Sequence, residues 1–71
     1  MKYYFSLNIT SQEYLPYYQG RIKSIIVMTE QRVKVEFPAM HLRVYLTGNG
    51  IKGRFCLQTL HNKFLSLDKT S

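Results

Sequence analysis

The stretch Arg32-Val33-Lys34-Val35-Glu36-Phe37-Pro38 alternates charged and apolar side chains, and Ile51-Lys52-Gly53-Arg54-Phe55 repeats the alternation. Successive side chains of a β-strand point to opposite faces. Each stretch therefore reads as a strand that buries one face and turns cations outward. Pro38 has no N–H to give to a ladder and ends the first of them.

Working outward, Tyr3, Phe5, Leu7 and Ile9 alternate with Tyr4, Ser6 and Asn8, the pattern of a half-buried first strand. Thr10 and Glu13 have capping-box spacing, so a short helix is expected to start there and to carry Tyr14, Leu15, Tyr17 and Tyr18. Pro16 falls inside it, and proline suits only a first turn, so the helix is expected to be short or to start later. Gly20 closes it. Arg21–Thr29 is expected as a second strand. Ile22, Ile26 and Met28 on one parity and Ile25 and Val27 on the other imply a central or bulged strand. Glu30-Gln31 is a tight turn into the third strand, Arg32–Phe37, and the two strands should pair as an antiparallel hairpin.

After Pro38, residues 39–46 read as a short helix or 3₁₀ turn, with Met40, Leu42 or Val44, and Leu46 available to plug one end of the sheet. Thr47-Gly48-Asn49-Gly50 is the clearest turn in the chain. A fourth strand is expected over Ile51–Thr59 and a fifth over Phe64–Asp68, joined by His61-Asn62-Lys63, with Lys69–Ser71 frayed. The expected fold is α+β, mostly β: about five strands in a small, strongly curved antiparallel sheet or open barrel, in one domain over residues 1–71.

Seventy-one residues allow one modest core, and a hydrophobic fraction of 45% with 14% aromatic argues against disorder. Ten Lys and Arg against four Asp and Glu give a formal charge of +6, a bias toward polyanions such as RNA, DNA, anionic lipid or an acidic protein surface. Cys56 is the only cysteine, so no internal disulfide forms, which suits a reducing compartment. No signal-peptide pattern opens the chain, and no apolar run approaches the ~20 residues that span a bilayer. A cytoplasmic location is the expectation.

Three groups of residues carry a resemblance. The first is Phe5-Ser6-Leu7-Asn8-Ile9 with Glu13-Tyr14-Leu15 and Tyr17-Tyr18-Gln19-Gly20. The second is Val35-Glu36-Phe37-Pro38-Ala39 with His41-Leu42-Arg43. The third is Gly50-Ile51, Gly53-Arg54-Phe55, Lys63-Phe64 and Ser66-Leu67. Together they resemble a family of short gammaproteobacterial proteins known only as a domain of unknown function, twenty-eight thirty-five. The resemblance spans nearly the whole chain and implies a one-domain bacterial protein, but no activity, substrate or binding residue. The chain departs from that pattern after Leu42-Arg43, where Val44 stands in place of proline and lets the second short helix run further.

If the second, third and fourth strands share one curved sheet, Arg21, Lys23, Arg32, Lys34, Lys52 and Arg54 meet on its outer surface, joined by Tyr4. Cations for phosphates beside an aromatic ring for bases are what a single-strand binder needs, although no RNP-like, KH-like or zinc-knuckle signature is present. The same residues also suit a plain solvated face. Tyr14, Tyr17 and Tyr18 fall on one helical face, to pack on the sheet or to serve as an exposed aromatic surface. Arg43 is positioned to bind an anion or to tie the second helix down through Glu36 or a backbone carbonyl. Cys56 falls on an outward parity beside Arg54, with a buried, inert thiol as the alternative.

Catalysis lacks support. The four acids lie far apart, no Ser-His-Asp, Cys-His or phosphate-loop pattern occurs, and His41, His61 and Cys56 do not make a zinc motif. No cofactor or small-molecule substrate is implied. The expected function is a small basic binding module contacting RNA or another nucleic acid through a cationic sheet face. The alternative is a protein-interaction or regulatory adaptor, homodimeric or not, using the tyrosine helix or an exposed strand edge. Attachment to an anionic membrane surface ranks below both, because no strongly basic amphipathic helix is visible.

Overall fold

A computed structural model describes all residues from Met1 to Ser71. The order is β1 (Lys2–Ile9), α1 (Ser11–Tyr18), β2 (Ser24–Met28), β3 (Lys34–Pro38), a 3₁₀ helix (Ala39–Tyr45), β4 (Ile51–Leu60) and β5 (Lys63–Lys69). The architecture is α+β and mostly β. The five strands form two antiparallel sheets, β1-β4-β5 and β2-β3, which do not close into a barrel. The expected single sheet is thus divided, and β2 and β3 are not neighbours of β4.

Alternation sets the inner face. Phe5 is paired with Phe55 in the β1–β4 register, so both rings point the same way. Phe5 lies 5.6 Å from the Phe55 ring and 5.7 Å from Phe37, which comes from the other sheet. Ile25, Val27 and Phe37 cover one side of this core, and Phe5, Ile51, Phe55, Leu57 and Leu67 form the other. Large rings remove the most apolar area from water, so this aromatic contact is the main glue between the sheets.

α1 begins where the capping box places it. Thr10 Oγ1 accepts the Glu13 N–H at 3.0 Å, and Glu13 Oε1 accepts the Thr10 N–H at 2.9 Å. Pro16 occupies the second turn of an eight-residue helix, as short as the proline implied. The helix survives because it is short and because Tyr14, fully buried, donates its hydroxyl to the Ala39 carbonyl at 2.7 Å. Gly20, at φ +78°, closes the helix with the Arg21 N–H reaching back to the Pro16 carbonyl. That closure uses up the residues expected to start β2, which therefore begins at Ser24.

β2 is not central. Ile25 and Val27 are buried, but Ile26 and Met28 are 61% and 57% exposed, on the outer face of a two-stranded sheet. The hairpin loop is longer than Glu30-Gln31. Thr29 pairs with Val33, and Arg32 takes a left-handed φ of +64°, completing a three-residue loop. Arg32 is thus a turn residue, and β3 starts at Lys34. The C-terminus is not frayed, since the Thr70 N–H and hydroxyl both bond the Arg54 carbonyl.

Two turn residues make opposite predictions. A Cβ on Gly50 (φ +98°) would fall on the Ile9 carbonyl oxygen and within 2.8 Å of Thr10 Cα. Gly50→Ala is expected to cost about 3 kcal/mol or more, because backbone cannot move aside cheaply. Arg32→Gly is expected to stabilise by roughly 0.5–1 kcal/mol by relieving the left-handed strain. Urea unfolding of both variants checks the pair.

Candidate interaction edge and cleft

The tip of the β2–β3 hairpin is fastened to the edge of β1. The Glu30 N–H donates to the Tyr4 carbonyl at 2.7 Å. The Gln31 side chain accepts from the Tyr4 N–H and donates to the Lys2 carbonyl at 2.8 Å. Glu30 then reaches the outer face of the three-stranded sheet and takes Arg54 in a two-point grip of 2.7 and 2.9 Å. The Arg54 guanidinium lies 4.6 Å from the centre of the Tyr4 ring. This is the one ion pair in the molecule. The hydrogen bonds from Arg54 hold the Glu30 carboxyl below its ordinary value of 4.5, and those to Glu30 raise Arg54 further.

The expected cationic face is dispersed by this arrangement. Tyr4, Lys52 and Arg54 share the outer face of the three-stranded sheet, but Arg54 is committed to Glu30. Lys34 lies on the other sheet. Arg21 and Lys23 precede β2 at one end of the hairpin, and Arg32 sits in the turn at the other end, about 17 Å away by strand rise. The tyrosine surface also divides. Tyr14 is buried and Tyr17 packs on the core, while Tyr18 stays half exposed. Burial raises the Tyr14 hydroxyl's pKa, with Arg43 opposing. Arg43 donates to the Tyr18 carbonyl at 2.8 Å and covers its ring, so it ties the 3₁₀ helix to α1 and forms no ion pair with Glu36. Cys56 lies on the outward parity but is buried.

A different feature emerges along β3. Hydrogen bonds link Thr29 with Val33 and Ala39 with Lys23, which fixes the alternation of the ladder. Val35 and Phe37 therefore bond β2, while Lys34 and Glu36 point their N–H and C=O groups away from it. Nothing pairs with that edge. Beside it the two sheets separate into a cleft with two lobes of about 280 and 240 Å³. Glu36, Leu57, Thr59 and Asn62 are common to both lobes. At one end the cleft is walled by Phe64, which stacks on His41 with ring centres 3.6 Å apart. Lys34 and Lys63 stand at its rim. The hairpin loop is bonded to β1, whereas no backbone hydrogen bond joins β3 to β5.

Sequence reasoning missed Glu30, Gln31 and the role of Glu36. The one available signal was a hairpin turn without Asn-Gly chemistry, whose polar side chains are free to hold a neighbouring strand. No group of three or more His, Cys, Asp or Glu side chains is placed to hold a metal ion, and no helix is long and apolar enough to cross a membrane.

A family model described as a protein of unknown function (DUF2835) matches residues 1–70. No curated protein and no solved structure matches the chain.

Because Arg54 lowers the Glu30 pKa in the folded state, the unfolded chain binds this proton more readily. The pair's contribution is present above the ordinary carboxylate range and is lost as pH falls through it. Thermal melts of wild type and Glu30→Gln should therefore differ most at neutral pH and converge as the pH falls below the lowered Glu30 value.

Proposed function

This chain belongs to the DUF2835 family of proteins of unknown function, and we propose that it is a non-catalytic interaction module that recognises an extended protein segment at the edge of β3. The observation that carries this reading is the unpaired backbone of Lys34 and Glu36 running along an open, partly apolar cleft. An incoming strand gains main-chain hydrogen bonds from the edge and side-chain contacts from the cleft, the division of labour that strand addition uses. The tyrosine helix is a weaker candidate, since most of its aromatic surface is spent on the core.

The test is an amide NMR titration with a panel of extended peptides of about six to eight residues, alternating apolar and polar positions. The expected result is a shift and slowed exchange at the Lys34 and Glu36 amides, with the core amides of Ile25 and Phe55 unchanged. A panel that leaves both edge amides unmoved overturns the reading.

One further observation favours a polyanion. Nine of the ten Lys and Arg side chains have no carboxylate partner. Single-stranded RNA contacting this dispersed charge would bind with an affinity that falls steeply as salt rises. Titration of RNA and duplex DNA at several salt concentrations checks it, and no binding at low salt removes it.

A further inference from the structure

The free edge of β3 reads Lys34-Val35-Glu36-Phe37-Pro38, and it presents two complete peptide groups, at Lys34 and Glu36, followed by a proline carbonyl with no N–H. We propose that the strand received at this edge is β3 of a second copy of this chain, paired antiparallel about a two-fold axis at Val35. The proposal rests on the strand-addition reading above and names its partner.

The register follows from charge and hydrogen bonding. Only residues that both point outward can exchange hydrogen bonds across a new antiparallel ladder, so Lys34, Glu36 and Pro38 must face one another. If Glu36 faces Glu36, two carboxylates oppose each other and Lys34 faces Pro38, which returns no N–H. If Lys34 faces Lys34, two ammonium groups oppose each other, and Glu36 faces Arg32, which lies off the strand at φ +64°. If Lys34 faces the second copy's Glu36, symmetry supplies the same pair again. Both copies then exchange all four hydrogen bonds, and each lysine lies opposite a carboxylate. Val35 meets Val35 in the close, non-hydrogen-bonded position.

Three further observations agree with this register. Lys34 and Glu36 are both exposed and have no ionic partner within the chain. Val33, 45% exposed, comes opposite the second copy's Phe37 on the inner side. The two-stranded sheet becomes the half of a four-stranded one, which relieves the marginal stability of a lone hairpin.

Sedimentation equilibrium over a wide concentration range at low salt tests the assignment on four chains: wild type, Lys34→Glu, Glu36→Lys and the double exchange. Circular dichroism melts confirm that each chain is folded. Wild type should form a reversible dimer. Each single exchange places like charges opposite each other and should raise the dissociation constant by about tenfold or more. The double exchange reverses both pairs and should return it to within about threefold of wild type. A wild type that is monomeric throughout, or single exchanges that leave association unchanged, overturns the second copy as occupant. So does a double exchange that fails to recover. The peptide titration separates the two readings: edge amides that move with peptide in a strictly monomeric chain leave strand addition standing, and immobile amides together with a monomeric chain overturn both.

Discussion

The contact between Phe37 and Phe5 makes the β2–β3 hairpin part of the protein. A two-stranded sheet is marginal in water by itself, and this one has Ile26 and Met28 uncovered on its outer side. Its stability must come from the inner side, where Ile25, Val27 and Phe37 close over Phe5 and Phe55. The other elements adjust to that packing. Tyr14 of α1 reaches the Ala39 carbonyl just after β3, and Tyr45 of the 3₁₀ helix meets the Phe55 ring edge-on at 5.3 Å. The 3₁₀ helix thus packs on the aromatic centre, and α1 is fastened to the start of the 3₁₀ helix.

The hairpin tip adds a backbone bond from Glu30 to Tyr4, a Gln31 side chain that accepts from Tyr4 and donates to Lys2, and the Glu30 grip on Arg54. These ties fasten the tip to the edge of β1 and, through Arg54, to β4. The cleft lies along the free edge of β3, where Lys34 and Glu36 face Leu57 and Thr59 of β4. Arg54, one of the six cations expected on the outer surface, is spent on the Glu30 pair. Its carboxylate partner stands 24 residues away in the chain, across the two sheets.

Much of the fold was legible because its cues are local. Phe5, Leu7 and Ile9 on one parity gave β1, the Thr10–Glu13 spacing gave the start of α1, and Thr47-Gly48-Asn49-Gly50 gave the turn before β4. What was not legible is pairing. A period of two tells which side chains share a face of one strand, but not which strands lie side by side. The cations of β3 and β4 were therefore placed on one sheet when they belong to two. The limits of β2 failed for another reason: the closure at Gly20 takes residues that look strand-like, and the apolar Ile26 and Met28 imitate a buried second face. The free edge of β3 could not be read at all, because an edge is defined by a neighbour that is missing.

Edge strands of natural sheets usually carry lysine and proline to discourage further pairing, and β3 carries one of each. Pro38 does blunt one end of the edge. Lys34 alone would repel any copy of itself, and a second lysine at position 36 would extend that repulsion to every register. Glu36 changes the outcome. With opposite charges two residues apart, both on the outward side, repulsion persists where like faces like and turns to attraction where the strand is offset to place lysine against glutamate. The same three residues therefore guard the edge against indiscriminate stacking while admitting a single alignment. Pairing also consumes the only free edge of β3, since its other side is bonded to β2. A two-fold pairing at this edge uses the same patch of both copies and closes on itself, in contrast to a uniformly apolar or uniformly charged edge, which would either aggregate or refuse all partners.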